Sequence, residues 1–104
     1  MPGNMNNLMK QAQKMQKQME EKTKEIEEKE WEATAGGGAV TVKISGKKEI
    51  VSVKLSPEVV DPEDIEMLED LIVAATNEAL RKMEEESAAV MNSIAGGLSG
   101  GLPF

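Results

Sequence analysis

Four lysines at spacings of four, three and seven, Lys10, Lys14, Lys17 and Lys24, are the residues of this sequence best placed to act together. On a helix that advances about 100° per residue they fall within an arc of about 80°. The chemistry open to such a group of ammoniums is electrostatic. They can replace the counterions of a phosphate chain, or they can simply keep one helix face solvated. Both readings stand at this point. Covalent chemistry has far less to work with, because the chain contains no cysteine and no histidine. That removes disulfides, thiolate nucleophiles, imidazole bases and the common zinc sites together. No nucleophile, base or metal constellation stands out among the remaining residues. The sequence is therefore read as non-enzymatic, with no cofactor, no metal and no small-molecule substrate.

Three other stretches invite a chemical reading. "AGGGA" resembles a phosphate-binding loop, but such loops lead into a helix N-terminus, and here the alternation of a strand follows, so a hairpin turn is expected. "DPEDIE" groups Asp61, Glu63, Asp64 and Glu66. It lacks the glycine and distal glutamate of a calcium-binding EF-hand loop, and helix capping is expected instead. Trp31 stands where a helix gives way to a strand, a position suited to local packing more than to base stacking. Lys43, Lys47, Lys48 and Lys54 give the sheet region a surplus of positive charge, which either extends a basic surface or merely decorates exposed turns.

The elements that must position these residues follow from periodicity. Between Met5 and Glu30 there is neither proline nor glycine. Met5, Leu8, Ala12, Met15, Met19 and Ile26 keep the three-four spacing of a seam, and Met5, Leu8, Ala12, Met15 and Met19 are expected to pack inward on the body or on a partner helix of the dimer. The spacing predicts a helix over 5–30, with the lysine arc almost opposite the methionine seam. Ion pairs Lys17 with Glu21, Glu20 with Lys24 and Glu25 with Lys29 are expected along its second half. "WEATA", "AVTVKIS" and "EIVSVKL", separated by the glycine turn and by "GKK", predict a three-stranded antiparallel sheet over 31–55. Val40, Val42 and Ile44 should share one face with Val51, Val53 and Leu55. Asp61 as N-cap and Pro62 in the first turn predict a second helix over 62–95. Its apolar face is Ile65, Leu68, Ile72, Ala75, Ala79, Met83, Val90 and Ile94. Gly96 and Gly97 should end it, leaving a flexible glycine-leucine tail at 96–104. The expected organisation is a single α+β domain over 1–95.

Length and charge bound the rest. A chain of 104 residues suits one small core. Helices of about 39 and 50 Å outrun strands of about 20 Å, so the sheet cannot cover both apolar stripes, and a homodimer is expected. The net charge of −7 argues against nucleic acid in general, yet residues 1–19 carry three lysines and no acid, while 57–95 carry eleven acids. If the N-terminal half projects, it lies about 30 Å from the acidic helix, several Debye lengths away. The N-terminus lacks a signal-peptide core and no apolar run is long enough for a bilayer, so a cytoplasmic protein without membrane contact is expected.

The stretches "NLMKQAQKMQKQMEE", "AGGGAVTVKISGKKEIVSVKLSPEVVDPEDIEMLEDLIVAATNEALRKMEE" and the "GLPF" tail together resemble the YbaB/EbfC family of bacterial nucleoid-associated proteins. The run from Gly36 to Leu80 is the most specific part. The resemblance implies an α-β-β-β-α fold, a homodimer with long helices projecting as arms, a nucleoid location, and binding of duplex DNA that alters its conformation. It supplies no base-reading signature to carry over. Lys10, Lys14, Lys17 and Lys24 are the DNA-contact candidates on helical geometry alone. No arginine or asparagine cluster accompanies them, so sequence preference should be weak. The rival expectation is a protein-interaction module that uses the methionine seam to hold an amphipathic partner, without DNA.

Overall fold

Val40, Val42 and Ile44 are fully buried, as alternation on one side of a strand requires. They lie in the middle of a sheet ordered β1-β2-β3. The computed structural model describes residues 2–99. The elements are α1 (Pro2–Glu28), β1 (Glu30–Ala35), β2 (Val40–Ser45), β3 (Ile50–Leu55), one 3-10 turn (Pro57–Val59) and α2 (Ile65–Ser99). This is the expected α-β-β-β-α order. The first helix stops two residues earlier than expected, because Glu30 is already paired with Ser45 in the β1–β2 ladder.

Register follows side-chain type. Trp31 pairs with Ile44, Ala33 with Val42 and Ala35 with Val40, which lines the core face of β1 with one large and two small residues. The glycine turn is a hairpin connection: Gly36, Gly37 and Gly38 all have positive φ, at 64, 67 and 91°. Three successive left-handed residues are open at low cost only to glycine.

On α2, Leu68, Ile72, Ala75, Ala79 and Met83 recur every three or four positions and pack on the sheet; Ala75, Ala79 and Met83 are buried. Alanines at 33, 75 and 79 bring helix and sheet backbones close. Two expectations fail at the start of this helix. Asp61 does not cap it; its carboxylate accepts the Glu63 N–H at 3.0 Å, closing a turn around Pro62. Asp64 caps instead, accepting the Met67 N–H at 3.2 Å, so the helix begins three residues later. At the other end, Gly96 and Gly97 do not stop it, and helix continues to Ser99. The remainder of the expected flexible tail, 100–104, lies outside the described residues.

The larger correction concerns β3. Val51, Val53 and Leu55 were expected under a helix, but they are 49, 42 and 40 % exposed. α2 lies across β1 and β2 and barely touches β3. Ile65, expected in the apolar face of α2, is likewise 56 % exposed. A bulge between Lys43 and Ile44 in the β2–β3 pairing also sets Ile50, not Val51, opposite Ile44.

The molecule is long. Its radius of gyration is 20.6 Å and its extents are 74 × 27 × 16 Å, whereas a compact chain of this length has a radius near 13 Å. The excess is the projecting pair of helices.

Candidate nucleic-acid interface

Glutamine, lysine, methionine and glutamate are all good helix formers, and they make up 18 of the 27 residues of α1. Between Met5 and Glu25 every described side chain is exposed except Met15, which is half-buried. The helix becomes fixed only at Ile26, which joins the core. From Ile26 to Met5 is 21 residues, about 32 Å of arm.

The four lysines are exposed and fall on one side of this arm. Lys10 and Lys24 stand about 21 Å apart along the axis. Among the described residues, no ion pair engages Lys10, Lys14, Lys17 or Lys24. The pairs expected from helical spacing do not form. Glu25 takes Lys22, at 3.0 Å. Lys29 lies past the helix end, where the four-residue geometry is lost, and it crosses to Glu86 on α2 at 3.0 Å. Lys17 and Glu21, and Glu20 and Lys24, stay separately solvated, as surface pairs of small net value commonly do.

Where α1 faces α2 is not where the methionines are. Gln11, Lys14, Met15 and Gln18 line a groove with Ser93 and Ile94. On the wheel this side lies about a quarter turn from the centre of the methionine seam and about a quarter turn from the lysine arc. The arm therefore has three sides: glutamines toward α2, lysines on one flank, methionines on the other. Met15 alone of the seam touches the groove. Met5, Leu8, Ala12 and Met19 are exposed in the single chain, so the expectation that the seam packs inward is not met within one chain. Lys14 sits at the groove edge, while Lys10, Lys17 and Lys24 turn further away.

Charge is segregated along the long axis. Met15 and Ile94 are level with each other, and the acidic start of α2 near Ile65 lies 29 residues away, about 43 Å along the helix. At physiological salt that is about five Debye lengths, so the start of α2 is screened from the arm, whereas Glu84, Glu85 and Glu86 lie about 12 to 15 Å along α2 from Ile94, within two Debye lengths.

Glu86 anchors the arm's root. Its carboxylate accepts hydrogen bonds from Lys29 Nζ and from the Trp31 indole N–H. The Lys29 bond first, then that of Trp31, holds its pKa below the usual carboxylate value. Trp31 is buried at the helix-strand joint, in the packing role expected. Sequence reading missed the Lys29–Glu86 link because its partners are 57 residues apart; the only local signal was a lysine falling just past the helix. In the sheet region, Lys43 lies 3.9 Å from Glu30 and pairs with Ser52 and Glu32 in the ladders. Lys47, Lys48 and Lys54 are exposed. Among the described residues no group of carboxylates is placed to hold a metal ion, and no helix is long and apolar enough to cross a membrane.

Residues 1–98 match the YbaB/EbfC DNA-binding family. The chain belongs to that family. It is 86 % identical over 104 residues to a nucleoid-associated protein of Lachnoclostridium phytofermentans, covering 98 % of this chain and 87 % of that one. A nucleoid-associated protein of Agathobacter rectalis is 72 % identical over 102 residues, covering 98 and 90 %. The crystal structure of an uncharacterized protein from Helicobacter pylori aligns with a TM-score of 0.74 at 21 % identity, over 86 % of this chain and 94 % of that one, which establishes the shared fold.

Proposed function

We propose that this protein is a nucleoid-associated, non-enzymatic DNA-binding protein of the bacterial cytoplasm that grips duplex DNA as a homodimer. Lys10, Lys14, Lys17 and Lys24 of each arm contact phosphates. The observation that carries this reading is a lysine flank, free of acids from Lys10 to Lys17 and without ion-pair partners among the described residues, on an arm about 32 Å long in a chain of net charge −7. Ammonium groups neutralise phosphates without reading base edges, so affinity should vary little with sequence. Two arms engaging one duplex would favour DNA shapes that let both make contact, which is how conformation is altered.

The second copy is argued from uncovered apolar surface. Ile50, Val51, Val53, Leu55, Val60, Ile65, Met67 and Val73 are all exposed. β3 and the first turns of α2 therefore form the proposed dimer face, leaving the arms outside it. The test is binding of the full chain to two unrelated duplexes of equal length. Similar affinities for both, with a change in DNA extension on a single tethered molecule, are expected. No binding to either would overturn the reading.

One observation favours a second reading, an interaction module without DNA: Met5 and Leu8 are 68 and 63 % exposed and unused by α2. Methionine-rich surfaces suit adaptable partner helices. Crosslinking in cells separates the two, since recovery of one dominant protein and no DNA would support the module.

A further inference from the structure

We infer that the turn between β2 and β3, through Gly46, is the seat that sets the direction of the α1 arm, which makes Gly46 a positioning residue for the DNA contact. The seat is a property of the fold; its consequence for DNA rests on the function proposed above.

Gly46 is glycine for want of space. Its φ lies outside the left-handed region that makes Gly36, Gly37 and Gly38 necessary. A Cβ placed on it would stand 1.8 Å from Ile26 O, 2.5 Å from Ile26 C and 2.9 Å from Glu27 Cα. All three atoms are backbone of the last turn of α1, so no side chain can swing aside to make room. The contact is also bonded: the Gly46 N–H donates to Lys29 O at 3.0 Å, and Lys29 N–H donates to Ile26 O at 3.1 Å. On its other side the root is held by Glu86, through Lys29 and Trp31. Turn and α2 thus grip one helical turn between them.

Further out, among the described residues, α1 meets α2 at Met15, beside Ser93 and Ile94. Met15 is the one half-buried side chain between Met5 and Glu25. The arm is a lever whose angle is set at its base. Opening the contact from 1.8 Å to a normal separation near 3.2 Å moves the root by about 1.4 Å. Pivoted across one helix diameter of about 10 Å, that is a tilt of about 8°. Lys10, some 24 Å out, would shift by about 3 Å, and Met5 by about 4 to 5 Å.

The absence of native cysteine allows a direct test. Spin labels at Gln13→Cys and Glu69→Cys, in full chain diluted with unlabelled protein, report the distance from arm to body in the absence of DNA. Gly46→Ala is expected to shift that distance by about 2 to 4 Å. Gly37→Ala is the control: a Cβ there meets nothing within 4 Å, but its φ of +67° strains the turn, so it destabilises without touching the arm. The same Gly46→Ala protein should bind duplex DNA more weakly with all four lysines present. An unchanged distance in folded Gly46→Ala, or an equal shift in Gly37→Ala, would overturn the inference. Should Gly46→Ala not fold, Glu86→Ala removes the opposite grip, and a broadened distance distribution is expected; an unaltered one would overturn it equally. Because distances are read without DNA, a seat that fails and a DNA interface that fails give different results.

Discussion

Replacing Val53 by lysine should separate the two copies of this protein while leaving each chain folded. Val53 pairs with Val42 in the ladder, but Val42 is fully buried whereas Val53 is 42 % exposed. In the single chain only part of the valine's burial is lost, about 1 kcal/mol, and the lysine stem can carry its ammonium to water. In the proposed dimer the same substitution buries two like charges, one from each chain. Desolvating an unpaired ammonium costs several kcal/mol. Even about 2 kcal/mol per chain amounts to about 4 kcal/mol per dimer, which raises the dissociation constant by roughly a thousandfold. Sedimentation velocity across a protein concentration series reads the constant, and circular dichroism reads the fold. The reasoning is refuted by a dimer of unchanged affinity, which would put the interface elsewhere. It is equally refuted if the variant unfolds at all concentrations, which would make β3 part of the single chain's core.

Two further outcomes follow from local geometry. Lys48 holds a φ of 65°, so Lys48→Gly should relieve left-handed strain and stabilise the fold by about 0.5 to 1 kcal/mol, read from denaturant midpoints at constant m. Glu86 has a folded pKa below its model-compound value of 4.5, so its contribution to stability is fully present above that value and is lost as pH falls through the lower, folded pKa. The stability difference between wild type and Glu86→Gln should therefore be constant from neutral pH to about 5 and shrink below it; a difference that grows on acidification would reverse the sign of the argument.

Legibility in the sequence tracked the range of the interactions involved. Val40, Val42 and Ile44 were readable because alternation is a local signal, and the glycine turn because three adjacent glycines leave few alternatives. The α2 start was misread by three residues because Asp61 and Asp64 are both good caps, and only the turn around Pro62 decides between them. The exposure of Val53 and Leu55 could not be read at all. Alternation shows that a strand has an apolar side, while the helix that covers it, or fails to, is placed by the fit of Ala33, Ala75 and Ala79 elsewhere. The lysine arc came directly from spacing, but which side of α1 meets α2 did not. That side mixes Gln11 and Gln18 with Lys14, Glu21 and Lys22, and only Met15 among them carries a hydropathy signal. Gly46 reads in sequence as an ordinary turn glycine, since its role depends on a helix end 20 residues earlier.

The most direct measurement is the affinity for duplex DNA as a function of salt, for wild type and for Lys10→Gln, Lys14→Gln and Lys17→Gln combined. Six such lysines per dimer, each displacing counterions from one phosphate, predict that the slope of log affinity against log salt becomes about 5 units shallower in the variant, with much weaker binding at low salt. An unchanged affinity together with an unchanged slope would contradict the lysine flank as the DNA-binding surface.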